Sequence, residues 1–523
     1  MIKFMLFLAL LLFVYIPTKE AIHMYQQNRY QQERYFYWIK QTIQRKAPYI
    51  GKYVLAFLPI LGLLILYNHK NITILFTLLL FIYSYLCMKI DDHKKYIKPL
   101  VYTHRVQRLL IAYYLFYSVF FYFYIQWEIR IQIISLPLIF VGPWFLLFLI
   151  AAGMLPIEKQ IRGYYVKDAR KMLQAHTNLS TIGITGSYGK TSVKTILQSL
   201  LCDEYYSFMT PHSYNNLMGI TISIRTLLKP LHEIFICEMG ADHIHEIQEL
   251  AQFVQPQMAV ITAIGPQHLQ TFQTMENIIQ EKMSLAESLP AHGIAFLNKD
   301  DPHITKYRLR NKCKVVWFGI HEDADYRACH IRYSKDGTQF QIKHKEETYD
   351  VKTQLLGEHN VLNILAAVAV AHTLHISFEK LASIIAQLPY VEHRLQVKQM
   401  PNYTLIDNAY NSNPKGASYS LQVLKQMPHK RILVTPGFID LGDITKQEHH
   451  TFAKQMAHCC DIVILVGIKQ TKDIVDGLKE ARFPKQCIHV VSTVQEAFQL
   501  LDKVAQKEDT VLIENDLPDA FNH

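Results

Sequence analysis

The alternation of apolar and polar positions divides the chain in two before any motif is read. Four apolar stretches, Tyr53–Tyr67, Ile72–Met88, Leu109–Gln126 and Ile133–Met154, approach the length of about 17 to 25 residues that crosses a bilayer. A fifth, Phe4–Ile16, is shorter. With only Lys3 before it and no small-residue cleavage site after it, it reads as an uncleaved anchor. Past Met154 the pattern changes. Ile234–Met239 and Met258–Ile264 are short apolar runs of the kind that form buried parallel strands. Ala328–Leu355 alternates as short strands around a Lys335-Asp336-Gly337 turn, which predicts a small antiparallel patch. From Tyr403 onward, strands near Tyr403–Ile406, Ile432–Thr435, Ile462–Val466, Ile488–Val491 and Val511–Ile513 alternate with helical stretches. That is a doubly wound domain without a G-x-G-x-x-G fingerprint. The expected fold class is an α-helical membrane region followed by α/β, with boundaries at 1–155 (five transmembrane helices), 156–180 (a linker), 181–391 (a phosphate-loop central domain) and 392–523 (a C-terminal Rossmann-like domain).

Charge sharpens this division. Pro17–Lys52 carries seven Lys and Arg and Ile90–Arg108 five, whereas the tight connections Asn68–Asn71 and Trp127–Ile131 carry one each. Lys and Arg accumulate on the cytoplasmic side, so five crossings leave the N-terminus outside and everything after Met154 in the cytoplasm. Lys159, Arg162, Lys167, Arg170 and Lys171 follow the last apolar stretch and agree with that orientation. The net charge of +10 is partly spread between the greasy segments and forms no single basic stripe, so nucleic acid is not the expected partner. The eight cysteines show no C-x-x-C pair and read as free thiols in a reducing compartment.

The stretch TIGITGSYGKTSVKTIL, Thr181 to Leu197, runs as a strand through a glycine turn into a helix. Such a turn presents backbone N–H groups and a positive helix end to phosphate oxygens, a lysine adds charge, and a hydroxyl holds Mg²⁺. The general pattern G-x-x-x-x-G-K-S/T would place glycine where Ile184 stands, while Gly186 and the tail Gly189-Lys190-Thr191 are present. Glu238 and His268 end the next two predicted strands, and ligands of parallel sheets sit beyond such strand ends. On residue type alone, a glutamate there can cap a helix and a histidine can close a turn.

The string T-G-x-x-G-K-T-S resembles the nucleotide loop of the Mur ligase family. Seven further blocks follow in family order: PHSYNNLMG (Pro211–Gly219), IFICEMGADHIHEI (Ile234–Ile247), VITAIGPQHLQTF (Val260–Phe272), LNKDDP (Leu297–Pro302), GEHNVLNILAA (Gly357–Ala367), EHRLQ (Glu392–Gln396) and LIDNAYNSNPKGA (Leu405–Ala417). The last, with Y-N-x-N-P, is most similar to the branch that adds D-alanyl-D-alanine. The resemblance implies an ATP-binding central domain in which Gly186, Ser187, Gly189, Lys190, Thr191 and Ser192 grip the phosphates. It implies that Thr191 and Glu238 hold one Mg²⁺ and His268 a second, and that Asn298, Asn360 and Asn363 surround the adenine. Arg394 and Asp407 would approach the γ-phosphate and the ribose as the final domain closes. Asn215 and Asn216, with Tyr410, Asn411 and Asn413, would meet the substrate. Lys282, in a helical stretch, matches a lysine that relatives carbamylate, although on sequence alone a surface lysine is the plain reading.

The activity implied is an ATP-dependent amide ligase. The γ-phosphoryl group converts a carboxylate into an acyl phosphate, which an amine then attacks. The implied partners are a muramoyl-peptide precursor of the cell wall, carried on UDP or on lipid, an amino acid or dipeptide, and membrane lipid. Two departures bear on substrate. Soluble members begin with a domain that grips the uridine nucleotide, and here membrane segments take that place, with only Pro156–Ser180 between. The adding enzymes end on a K-G-S string, whereas this chain has IENDLPDAFNH (Ile513–His523), with Asn515, Asp516 and Asp519. Alternative readings are a membrane ligase extending a γ-glutamyl polymer, a nucleotide-driven transporter and an inactive scaffold. The transporter lacks ionisable residues within its segments. The scaffold reading conflicts with the retention of Lys190, Glu238, His268 and Asp407.

Overall fold

Apolar side chains at successive positions turn the first part of the chain helical, because a helix satisfies its own backbone polar groups without water. The structure, a computed structural model, describes all residues except 29, 45–71, 93–98, 268, 335–336, 391–392, 410–413, 439–444 and 515–523. Two units result, Met1–Tyr164 and Tyr165–His523. The described helices up to Ala175 are α1 (Ile2–Phe13), α2 (Tyr15–Gln27), α3 (Gln32–Gln44), α4 (Ile72–Asp92), α5 (His104–Tyr124) and α6 (Ile129–Ala175). Among the described residues four stretches are long and apolar enough to cross a membrane: Ile2–Gln27, Ile72–Lys89, His104–Tyr124 and Leu138–Ala175. They match four of the five expected crossings, and the other, Tyr53–Tyr67, lies outside the described residues.

The first unit buries several tyrosine hydroxyls and leaves some of its leucines exposed. Tyr113 donates its hydroxyl to the Pro143 carbonyl at 2.7 Å and Tyr124 to that of Gln132 at 2.6 Å. Leu115, Leu138 and Leu149 are 64%, 77% and 72% exposed, an arrangement suited to an apolar surrounding. Arg108 meets Glu158 through two contacts of 2.8 Å and Lys19 meets Asp91 at 2.6 Å. The expected linker 156–180 is helical as far as Ala175. Glu158 to Lys171 is rich in Glu, Lys, Gln and Arg, all good helix formers, and has no proline after Pro156 to end the helix.

The second unit contains two sheets. The first has nine strands, β1 (Ser180–Thr185), β2 (Ser207–Met209), β3 (Ile234–Glu238), β4 (Met258–Ile261), β5 (Ile294–Asn298), β6 (Lys314–Gly319), β7 (Tyr326–Ser334), β8 (Gly337–His344) and β9 (Glu347–Thr353), in the order β2-β3-β1-β4-β5-β6-β7-β8-β9. Strands β1 to β6 form a parallel run in which β1 stands between β3 and β4. The expected antiparallel patch is β7 to β9, and it continues the central sheet. The Lys335 and Asp336 part of its turn lies outside the described residues. Alternate residues of β3 enter opposite cores, Ile234 and Ile236 on one face and Phe235 and Cys237 on the other, which is why the run reads as continuously apolar.

The remaining strands are β10 (Gln396–Gln399), β11 (Thr404–Asn408), β12 (Arg431–Thr435), β13 (Ile462–Val466), β14 (Ile488–Val491) and β15 (Thr510–Glu514), ordered β10-β11-β15-β12-β13-β14. Five of them match the expected doubly wound domain. The sixth, β10, is a short antiparallel addition on β11 whose four residues, Gln-Val-Lys-Gln, carry too little apolar pattern to signal a strand.

Candidate active site

Strand β1 ends at Thr185, and helix α7 (Lys190–Leu201) starts five residues later. The turn between them needs glycine twice. Gly186 has φ +151° and Gly189 has φ +83°, conformations that side chains with a Cβ rarely adopt. A Cβ on Gly186 would also collide with the Thr262 hydroxyl and come within 3.0 Å of the Ala263 carbonyl, while one on Gly189 would stand 2.6 Å from Asn363 Oδ1. The loop is further fixed by Ser187, whose N–H donates to Ala263 O at 2.7 Å and whose hydroxyl donates to Gly265 O at 3.0 Å. Lys190 folds back over the turn, its Nζ donating to Gly186 O at 2.7 Å. Burial pushes its pKa down, against the pull of Glu238.

Glu238 closes β3 and is 1% exposed. Its Oε2 accepts from Thr191 Oγ1 at 3.0 Å and lies 3.0 Å from Lys194 Nζ, and its Oε1 accepts from Asn215 Nδ2 at 3.1 Å. Asn215 precedes α8 (Leu217–Leu227), which Asn216 caps by accepting from Gly219 N at 2.9 Å. Asn216 therefore holds a helix end, whereas its neighbour reaches the carboxylate.

These groups surround a cavity of about 420 Å³. Of the residues singled out from sequence, Ser187, Gly189, Lys190, Thr191, Ser192, Asn215, Glu238, Asn298, Asn360, Asn363 and Arg394 line it. Asn298 ends β5 and donates to Thr262 O at 2.8 Å. Asn360 and Asn363 lie one turn apart on α9 (Glu358–Thr373), a helix that packs against α7. Asn360 donates to Leu356 O at 2.7 Å.

Gly186, Asn216, Lys282 and Asp407 are not on the cavity wall. Asp407 Oδ2 instead takes Lys398 Nζ at 2.6 Å and His393 Nδ1 at 2.9 Å. Burial raises its pKa, but those hydrogen bonds outweigh burial and hold it below the usual carboxylate value. Its neighbour Asn408 is the one that lines the cavity, and it donates to Glu514 Oε2 at 2.8 Å. Lys282 is buried on the helix Met275–Glu287, with Nζ 3.5 Å from Ala241 O. Burial, reinforced by the charge of Lys190, brings its pKa down to about 8. The plain reading of a surface lysine is thus corrected. Its neighbour Glu281 takes the backbone N–H groups of His245 and Ile247 at 2.6 Å each, which draws this turn of the helix inward. His268, Tyr410, Asn411 and Asn413 lie outside the described residues, as do Asn515, Asp516 and Asp519.

The structure adds residues that the motifs did not single out. Lys194 stands one helical turn beyond Lys190, a spacing that carries the signal. His359 and Tyr419 line the cavity, and His359 directly precedes Asn360. Its Nδ1 is buried and has no hydrogen-bond partner among the described residues, and burial lowers its pKa to about 4.

Comparison with known proteins agrees with this geometry. The Mur ligase middle domain model matches residues 184–371, and the model of the Mur ligase glutamate ligase domain matches 393–514. The UDP-N-acetylmuramoyl-tripeptide--D-alanyl-D-alanine ligases of Buchnera aphidicola, Haemophilus influenzae and Bacillus subtilis are each 30% identical to the chain, over 52%, 53% and 51% of its length. The chain spans about six-tenths of these relatives, 59%, 63% and 58% of their lengths. Among solved structures, MurF from Acinetobacter baumannii has a TM-score of 0.61 at 27% identity, covering 69% of this chain and 78% of its own. MurF ligase from Thermotoga maritima in complex with ADP has a TM-score of 0.61 at 25% identity, covering 69% and 81%. The phosphate loop and both matched domains agree with the eight sequence blocks: the chain belongs to the Mur ligase family, and it is most like the branch that adds D-alanyl-D-alanine.

Proposed function

We propose that the protein is an ATP-dependent carboxylate–amine ligase at the cytoplasmic face of the membrane, joining an amino acid or dipeptide to a muramoyl-peptide precursor of the cell wall. D-Alanyl-D-alanine is the amine that the relatives' names favour. The observation that carries the proposal is the convergence of Lys190, Thr191 and Glu238 on one cavity that also has Asn298, Asn360, Asn363 and Arg394 in its wall.

The cavity suits a nucleotide. The turn at Gly186 to Gly189 offers N–H groups to phosphate, and the orphaned Nδ1 of His359 offers a polar partner at the asparagine-lined part of the wall. With a pKa of about 4, His359 is neutral at pH 7 and suits an uncharged base better than a phosphate. Thr191 and Glu238 are an all-oxygen pair of the kind Mg²⁺ prefers, and His268 joins them on the resemblance alone. When bound, Mg²⁺ supplies charge neutralisation on the β- and γ-phosphates.

In the first step a carboxylate oxygen of the precursor attacks the γ-phosphorus, and the bond to the bridging oxygen breaks with its electron pair leaving on ADP. Lys190, turned from the Gly186 carbonyl toward the transferring group, stabilises its charge, and Arg394 approaches the same oxygens. In the second step the amine nitrogen attacks the acyl carbon, phosphate departs with the bonding pair, and the nitrogen gives up a proton to solvent. Asn215, Tyr410, Asn411 and Asn413 are assigned to the substrates, Asn216 caps helix α8, and Asn408, on the wall next to Asp407, supports the ribose side. Lys282 fits carbamylation, since its lowered pKa provides the neutral amine that reacts with CO₂.

The membrane location is supported by the four apolar helices and by the exposed apolar side chains they carry, Leu115, Leu138 and Leu149 among them. It favours a lipid-linked carrier beside the UDP-linked one. The deciding experiment is phosphate release from ATP by the full chain in detergent, offered UDP-linked and lipid-linked muramoyl peptides separately with a panel of amino acids and D-alanyl-D-alanine. Release that needs both an acceptor and an amine, and is lost in Lys190→Ala, is expected. Hydrolysis indifferent to every pair would overturn the ligase assignment.

A further inference from the structure

We infer that Lys194 is a positioning residue for this site: its ammonium, clamped between the Glu238 carboxylate and the His212 carbonyl, holds the end of β3 and the 211–216 loop in one arrangement. The inference rests on the nucleotide-binding reading above and adds to it a residue outside the phosphate grip.

Lys194 Nζ lies 3.0 Å from Glu238 Oε2 and donates to His212 O at 2.5 Å. Both charged side chains are 1% exposed. Removing two charges from water costs about as much as their attraction returns unless the remaining lone pairs and protons are satisfied. Here the satisfaction is unusually full. Glu238 Oε2 also accepts from Thr191, Oε1 accepts from Asn215, and the Glu238 N–H donates to Thr210 Oγ1 at 3.1 Å. The carboxylate is bonded on both oxygens, by Thr191 and Lys194 of α7 on one side and by Asn215 of the loop on the other, which fixes its orientation.

The loop side of the clamp is equally specific. His212 has φ +45°, a left-handed conformation that is strained for a residue with a Cβ. Its carbonyl in that conformation is the one that Lys194 takes. Three residues on, Asn215 meets the other carboxylate oxygen. The loop is therefore tied to Glu238 twice, once directly and once through Lys194. A glutamine at 194 is shorter and uncharged and reaches one partner. An arginine brings a planar, bulkier head to a place with no exposure.

Loss of this clamp falls on what Thr191 and Glu238 hold. It spares the phosphate grip, whose donors belong to the Gly186–Lys190 turn. The test is calorimetric binding of ADP to the full chain in detergent, with and without Mg²⁺, and a thermal unfolding curve for each variant. In Lys194→Met, metal-free ADP binding is expected to stay within about twofold of wild type, while the tightening that Mg²⁺ produces falls about tenfold to a hundredfold. Should that variant fail to fold, Lys194→Gln carries the same expectation. Lys194→Arg, which keeps the charge, is expected to recover part of the Mg²⁺ effect. A folded Lys194→Met or Lys194→Gln with the wild-type Mg²⁺ effect overturns the inference, as does a variant that loses metal-free and metal-dependent binding equally. A wild-type protein that binds no ADP overturns the nucleotide reading itself.

Discussion

Thr191 Oγ1 donates to Glu238 Oε2 across 3.0 Å, although the two residues belong to the first turn of a helix and the end of a strand. Parallel pairing of β1 with β3, which sets Ile184 opposite Glu238, brings them together. The hydroxyl follows β1 through the glycine turn, and the carboxylate ends the neighbouring strand. Every proposed step at the site depends on this register, and a one-residue slip would turn Glu238 to the other face of the sheet.

Gly186→Ala tests the turn itself. The added Cβ would meet the Thr262 hydroxyl and Ala263 carbonyl at φ +151°, so strain of about 1–3 kcal/mol is expected. Thermal unfolding should show a lower Tm, and calorimetry should show ADP binding lost or strongly weakened.

Removing the lysine head tests the charge. Lys190→Ala should lower kcat by about 10²–10³, the range seen when one transition-state donor is deleted. Tm should change little, because among the described residues Lys190 donates only to carbonyls of its own loop. Single-turnover phosphate release measures the first, and thermal unfolding the second.

Lys282 makes a pH prediction. Its pKa falls from the ordinary 10.5 to about 8 in the folded protein, so between those values the unfolded chain binds the proton that the folded chain has released. Stability therefore rises with pH across this window. Below pH 8 the buried charge costs about 3 kcal/mol, at roughly 1.4 kcal/mol per pH unit. Without carbamylation, Lys282→Met should be more stable than wild type at pH 7, and the difference should shrink toward pH 10. Bicarbonate should add the mass of a carboxyl group to wild type in native intact-mass measurements and narrow the same gap at pH 7. An unmodified Lys282 under bicarbonate, with full activity in Lys282→Ala, would end the carbamylation proposal.

Asp407 and Asn408 should separate cleanly. Asp407 has a lowered pKa, so its stabilisation is present above the ordinary carboxylate value of 3.8 and fades as pH drops below it. Lys398 and His393 are 38% and 49% exposed, which screens the pair, so Asp407→Asn should lose about 1–2 kcal/mol at pH 7. That loss should vanish in acid. Asn408→Ala should instead weaken ADP binding, because Asn408 lines the cavity and its Oδ1 accepts from the N–H of Leu395, next to Arg394.

Much of this protein was legible from its residues in order. Apolar runs of spanning length marked the first unit, since a helix long and apolar enough to cross a bilayer has a length and a composition that a linear count can detect. Short apolar runs ending in glycine, glutamate or asparagine marked the central strands, since both faces of a parallel sheet are buried. The turn from Gly186 to Lys190 was readable because only glycine tolerates its backbone. The tertiary structure decided the rest. It sent Asn215 to the carboxylate and Asn216 to a helix end, although the two adjacent residues are of one type. It brought Asn408 and not Asp407 to the cavity, because a strand turns successive side chains to opposite faces. It buried Lys282, which its neighbours in sequence present as an ordinary helical lysine, and it joined Lys194 to Glu238 across 44 positions. Local pattern reports which element a residue joins. Which atoms then meet depends on strand order and register, and these are set by the packing of distant parts of the chain.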